Sequence, residues 1–185
     1  MENYLAALAP DGILAVTLWL KLPPRDSVKL FATAVEALRH QGVADPGGRL
    51  VMLRGWSTAT LLVRNGAFAP DELAALRAFA TARAFDLAWA PGIDSAETNR
   101  FNILERPYLF EAATALLGPD PRAFFADYKF AVAPATYDRP YFHDFFKWRF
   151  LPELLSLGPQ GAAALLDMGY LILAAAWSSV AARMR

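Results

Sequence analysis

The chain has 185 residues, of which 56% are apolar and 19% charged, with a formal net charge of zero and no cysteine. That length accommodates one ordinary domain and perhaps an appendage, and the apolar share, above the usual ~45–50%, calls for a deeply buried sheet core, a lipid-facing segment, or both. Balanced charge without a basic run argues against a nucleic-acid partner, and the missing cysteines exclude disulfides, thiolate catalysis and cysteine-ligated zinc.

Residues 2–9 read as the last turns of a helix, and Pro10, Asp11 and Gly12 as a turn. Residues 13–20 (ILAVTLWL) are a nearly continuous apolar run of strand length. Such a run predicts a strand buried on both faces, as in a parallel sheet covered by helices. Pro23 and Pro24 interrupt, and Asp26 or Ser27 caps a helix whose apolar face is Val28, Phe31, Val35 and Leu38 and whose stop is Gly42. Residues 49–54 and 58–64 predict two strands joined by Gly55, Trp56 and Ser57, a link short enough for an antiparallel pair. Pro70, Asp71 and Glu72 open another helix, with the acids near the positive end of its dipole and Leu73, Leu76 and Ala80 facing inward. Residues 85–90 suit a short strand or an extended packing segment, and 91–106 a long loop. A helix over 107–117 stops at Gly118, and a shorter helical piece covers 121–128.

The order strand, helix, strand, tight turn, strand is how class I methyltransferase-fold domains finish, and three segments make the resemblance concrete. Residues 8–17 (LAPDGILAVT) look like the strand-five entry of spermidine-synthase-like domains, and residues 49–63 (RLVMLRGWSTATLLV) are similar to the closing hairpin of a bacterial subgroup. The third is 138–142 (DRPYF), followed by an aromatic-basic stretch and a hydrophobic segment. Together they resemble bacterial multi-pass membrane proteins that carry a spermidine-synthase-like domain. The resemblance implies an α/β fold: the last three strands of a Rossmann-like methyltransferase sheet, closed by the hairpin and followed by helices. Strands one to four are then expected upstream of Met1, leaving a long apolar edge unpaired. The departure is Tyr137, where an acid is expected before Asp138.

In that family the donor, S-adenosylmethionine or its decarboxylated form, is held by a glycine-rich turn after strand one and an acid after strand two. The aminopropyl-transfer base follows strand four. No donor or catalytic residue is therefore expected in this chain alone, and the reading is a fragment of a polyamine-type or methyl transferase, inactive by itself. The alternative is a non-catalytic, membrane-associated module that pairs its sheet edge with a partner chain.

Ligands of open α/β sheets sit outside the carboxyl ends of the strands. Trp19, Lys21 and Arg25 follow the first strand there, and Arg54 and Trp56 lie at the hairpin turn. They form a candidate cationic rim on the substrate side, better matched to an anion than to a polyamine. Against it stands the simpler reading that the tryptophans pack on helices and the cations are solvated. Asp138 and Arg139 suit an ion pair in a loop anchored by Tyr141 and Phe142, and such a surface pair contributes ~0–1 kcal/mol. His143 with Asp144 lacks a nucleophile or further ligands, so no metal site is expected. His40, near a helix end, reads as a dipole contact. Glu97, Asn99, Arg100 and Asn102 form a polar loop that either lines a pocket or satisfies its own backbone.

The chain thus divides into an α/β part with a helical extension (1–133), a proline- and aromatic-rich connector (134–160) and a hydrophobic tail (161–185). Residues 161–182 have the ~20-residue length of a membrane span, and residues 145–150 (FFKWRF) resemble an interfacial collar. The alanines and Asp167 speak for a buried helix, but length and collar together carry the expectation of a transmembrane helix over residues 161–185. The expected partners are a membrane and a strand-bearing half or chain at the open edge. The α/β part is then cytoplasmic, at the inner membrane if the source is bacterial.

Overall fold

A computed structural model describes residues 1–136, 138 and 141–156. The hydrophobic tail at 161–182 and Arg139 lie outside the described residues. The described residues form two compact units, one of residues 1–128 with those of 132–142, the other of residues 129–131 with 143–156.

The first unit is an α/β sheet domain. It contains α1 (Glu2–Ala6), β1 (Ile13–Trp19), α2 (Asp26–His40), β2 (Leu50–Arg54) and β3 (Thr58–Arg64). Next come α3 (Pro70–Ala82), β4 (Asp86–Trp89), α4 (Tyr108–Leu117) and α5 (Pro121–Asp127). The four strands pair entirely antiparallel in the order β1-β3-β2-β4. Because β3 runs against both neighbours, β1 and β2 point the same way with α2 between them in sequence. The expectation of three strands is corrected to four: Asp86, Leu87, Ala88 and Trp89 extend the sheet beyond β2, with an irregular register between Met52 and Leu53.

Period-two alternation sorts the side chains onto two faces. Val16 opposes Leu61 and Met52 on one face, which α2 covers with Val28, Phe31, Val35 and Leu38, all buried. On the other face α3 lays Leu73, Leu76 and Ala80 over Val51, Leu53 and Leu87, with Phe68 beside them. Helix α3 starts as its sequence predicts. Pro70 sits in the first turn, and the Glu72 carboxylate accepts from the Ala69 N–H at 2.7 Å. Gly42 ends α2 in the left-handed region, φ +79°, where a side chain would be strained.

Strand β1 departs from expectation. Its residues alternate between exposed and half-buried, with Ile13 48% and Trp19 72% exposed, so it is not buried on both faces. The reason is positional: β1 is an edge strand, and α3 covers only the β2–β4 side of its face. Leu20 donates its N–H to Ser57 and Asn65 donates to Gly12, so the even-numbered residues of β1 bond to β3. The N–H and C=O groups of Ile13, Ala15, Thr17 and Trp19 therefore point to the open side, where no described strand pairs with them.

In the second unit, Ala131 donates its N–H to Phe145 at 2.9 Å, and Lys129 pairs with Glu153 at 2.5 Å. A short turn at Trp148–Phe150 leads into α6 (Leu151–Ser156). No described helix is long and apolar enough to cross a membrane.

Candidate functional site

The carboxyl ends of β1 and β2, the β2–β3 turn and the start of β4 share one end of the sheet. There the structure separates the five candidate rim residues into two groups. Trp19, Lys21 and Trp56 are solvent-facing, Trp56 at 85% exposure. Neither tryptophan packs away against a helix, contrary to the simpler reading. Arg25 and Arg54 are buried instead of lining a cationic rim. Arg25 lies at the base of α2 with its Nε 3.9 Å from Asp26, and Lys21 Nζ is 4.0 Å from the same carboxylate.

Arg54 is explained by a partner 32 positions along the chain. Its guanidinium donates to Asp86 Oδ2 at 2.7 Å, to Asn99 Oδ1 at 3.3 Å and to the Asn102 carbonyl. Asp86, 1% exposed at the first position of β4, also accepts the backbone N–H groups of Arg100 (2.5 Å), Phe101 (2.9 Å) and Asn102 (2.9 Å). Asn102 Nδ2 adds a further bond at 3.1 Å. Burial pushes the Asp86 carboxyl up, but the N–H donors of Phe101, Asn102 and Arg100 together outweigh it and hold the group below its ordinary range. For Arg54, burial dominates over the attraction of Asp86 and lowers the guanidinium from its ordinary value; it stays charged at any ordinary pH.

The pair is a lock on the loop 98–104. Asn99, with a positive φ of 55°, closes the loop on itself: its Oδ1 accepts from the Leu104 N–H and its Nδ2 donates to the Leu104 carbonyl. The polar loop thus satisfies its own backbone. The loop also carries Phe101 and Ile103 outward, Ile103 at 74% exposure. Chemically the lock is saturated. A carboxylate offers about four lone-pair sites, and Asp86 already accepts five donors, so it is not placed to take a proton from a substrate.

A second polar group of note is the half-buried Tyr128, whose hydroxyl donates to the Pro24 carbonyl; burial pushes the phenol well above its ordinary value. Lys29 Nζ donates to the Tyr141 carbonyl at 3.2 Å and lies 5.8 Å from the Phe142 ring centre. The Tyr141 ring itself is exposed, so the loop is held through its backbone and Phe142, not by the anchoring ring expected of Tyr141. Asp138 is exposed. His143 meets Phe145 edge-on at 6.2 Å, and no described cluster of His, Asp or Glu suits a metal. His40 does more than contact a dipole: it bonds Glu2 at 2.8 Å and Glu36 at 3.2 Å, and the bond to Glu2 leads in raising its pKa.

Asp86 was the residue that spacing alone concealed. The available signal was a single acid opening an apolar strand (DLAW), followed by a loop with two asparagines three positions apart. No family model, no curated protein and no solved structure matches this chain.

Proposed function

We propose that this chain is the closing part of a spermidine-synthase-like, class I methyltransferase-type domain of a membrane-associated protein, inactive by itself. Its β1 edge takes up the strands that hold the adenosyl donor. The observation that carries the reading is the edge of β1, which no described strand pairs: it has four outward-pointing backbone pairs, and Ile13, Ala15 and Trp19 are exposed along it. The strand order supports it as well: β1 and β2 run parallel, and the hairpin inserts β3 between them. A hairpin that closes a parallel sheet would have this order.

The residues present do not fit the donor. The turn after β1 is Leu20, Lys21, Leu22, Pro23 and Pro24, without a glycine and with two positions that have no N–H to offer a ligand. The transfer chemistry of such a domain therefore resides elsewhere, and this chain contributes sheet closure and the exposed end described above. In the second reading, the chain is a non-catalytic, membrane-associated module that holds a partner chain at the same edge. The saturated Arg54–Asp86 lock, structural in every contact, favours it.

Calorimetric titration with S-adenosylmethionine and with its decarboxylated form separates these outcomes. The chain alone gives no binding heat, and it gives stoichiometric binding when co-expressed with the donor-binding half of a spermidine-synthase-like domain. Stoichiometric binding by the chain alone overturns the proposal. A stable equimolar complex that binds no donor favours the accessory module.

A further inference from the structure

The end of the sheet that carries the β1–α2 turn, the hairpin turn and the loop 98–104 exposes large apolar side chains from three separate segments. These are Trp19 and Leu22 at β1, Trp56 between β2 and β3, and Phe101 and Ile103 beside β4. The open β1 edge accounts for Trp19 but not for Leu22, Trp56, Phe101 and Ile103. In the order β1-β3-β2-β4, Trp56 and Ile103 lie progressively farther from that edge. They form a row along the width of the sheet, roughly 15 Å for four strands, with Trp19 at the end of β1 and the others on the turns and loop at that end.

The row is held in place. Gly55 donates its N–H to Thr58 and Leu20 donates to Ser57, tying the two turns together. The Arg54–Asp86 lock fixes the loop 98–104, so two exposed apolar residues are presented by one of the most heavily bonded loops in the domain. Isolated exposed apolar residues need no explanation, but a rigidly presented row does.

The charges at this end are unbalanced. Lys21, Arg83 and Arg100 are solvent-facing, Lys21 with its Nζ 4.0 Å from Asp26 and Arg83 with its guanidinium over the Phe79 ring, just before the Ala84 carbonyl that accepts from Asn102. Among acids of the same segments, Asp26 and Asp86 are buried, which leaves the exposed Glu105 as one anion against three solvent-facing cations. Tryptophans and apolar tips flanked by cations match the interface of an anionic bilayer, where aromatic rings seat among the headgroups and each cation is attracted to the surface. A row along separate turns suits a flat partner better than a small molecule, which requires a concave site.

We infer that this end of the sheet docks onto an anionic membrane surface, with Trp56 and Ile103 entering the headgroup layer. The inference rests on the exposed row and its charge, not on the transferase reading, and donor binding has no bearing on its test.

The absence of cysteine makes the test clean, since a single introduced thiol is the sole labelling site. Trp56→Cys, Ile103→Cys and, at the opposite end, the exposed Ala67→Cys are each labelled with an environment-sensitive fluorophore. Each is mixed with phosphatidylcholine vesicles with or without phosphatidylglycerol. Severalfold brighter, blue-shifted emission is expected at positions 56 and 103 with the anionic vesicles, and none at 67. Lys21→Glu with Arg100→Glu then weakens the response about ten-fold or more. Unchanged emission at 56 and 103 overturns the inference, whether or not the chain sediments with the vesicles. So does an equal change at position 67.

Discussion

Asp86→Ala is expected to destabilise the domain by about 3–5 kcal/mol, the range for breaking a buried ion pair by removing one partner. Arg54, 4% exposed, is left as a buried cation with its nearest carboxylate gone, and the N–H groups of Arg100, Phe101 and Asn102 lose their acceptor. Against a typical total of ~5–15 kcal/mol, that is a large share. Urea unfolding should show it as a lower midpoint, and amide exchange at residues 100–102 should accelerate even where the rest of the sheet remains protected. The pH dependence follows from the direction of the shift. The folded carboxyl is held below its ordinary range, so its contribution is present above the unfolded value of ~3.9 and is lost as pH falls through the folded value. Asp86→Asn removes that component of acid sensitivity. Wild-type exchange rates at residues 100–102 in the Asp86→Ala variant contradict the lock.

Phe31→Ala is expected to cost a similar ~3–5 kcal/mol, through lost burial and the cavity left behind. Phe31 is fully buried on α2 and meets the Trp89 ring edge-on, with centres 6.2 Å apart. Trp89 in turn stacks near Phe110 at 6.4 Å and donates from Nε1 to the Gly47 carbonyl at 3.2 Å. One side chain therefore joins α2 to β4 and, through Trp89, to α4. Phe31→Leu refills most of the volume and should retain most of the stability, so the two variants separate cavity cost from a general intolerance of change. A loss below ~1 kcal/mol for Phe31→Ala contradicts the packing described.

The elements of the α/β unit were legible because their signals are local. The run from Leu50 to Arg64 shows two β-rich stretches around Gly55, and it folds as β2 and β3. Val28, Phe31, Val35 and Leu38 recur at helical spacing and are the buried face of α2. Burial of individual polar residues was less legible, because it is decided by partners distant in the chain. Arg54 at a turn reads as a surface cation until Asp86 is seen opposite it in the β2–β4 pairing. Apolar content likewise predicted β1 buried on both faces, whereas lateral position in the sheet decides that, and composition carries no information on position. Trp19 and Trp56 show the converse: residues that usually pack inside stand in solvent, Trp19 at the end of an edge strand and Trp56 on the hairpin turn.

Amide hydrogen exchange along β1 tests the central claim, that its open edge is a strand acceptor. In the chain alone, Ala15 and Thr17 should exchange far faster than Val16 and Leu18, whose N–H groups bond to β3. On forming the complex with the donor-binding half of a spermidine-synthase-like domain, Ala15 and Thr17 should become protected to the level of their neighbours. A complex that binds donor while Ala15 and Thr17 continue to exchange as in the free chain contradicts the account.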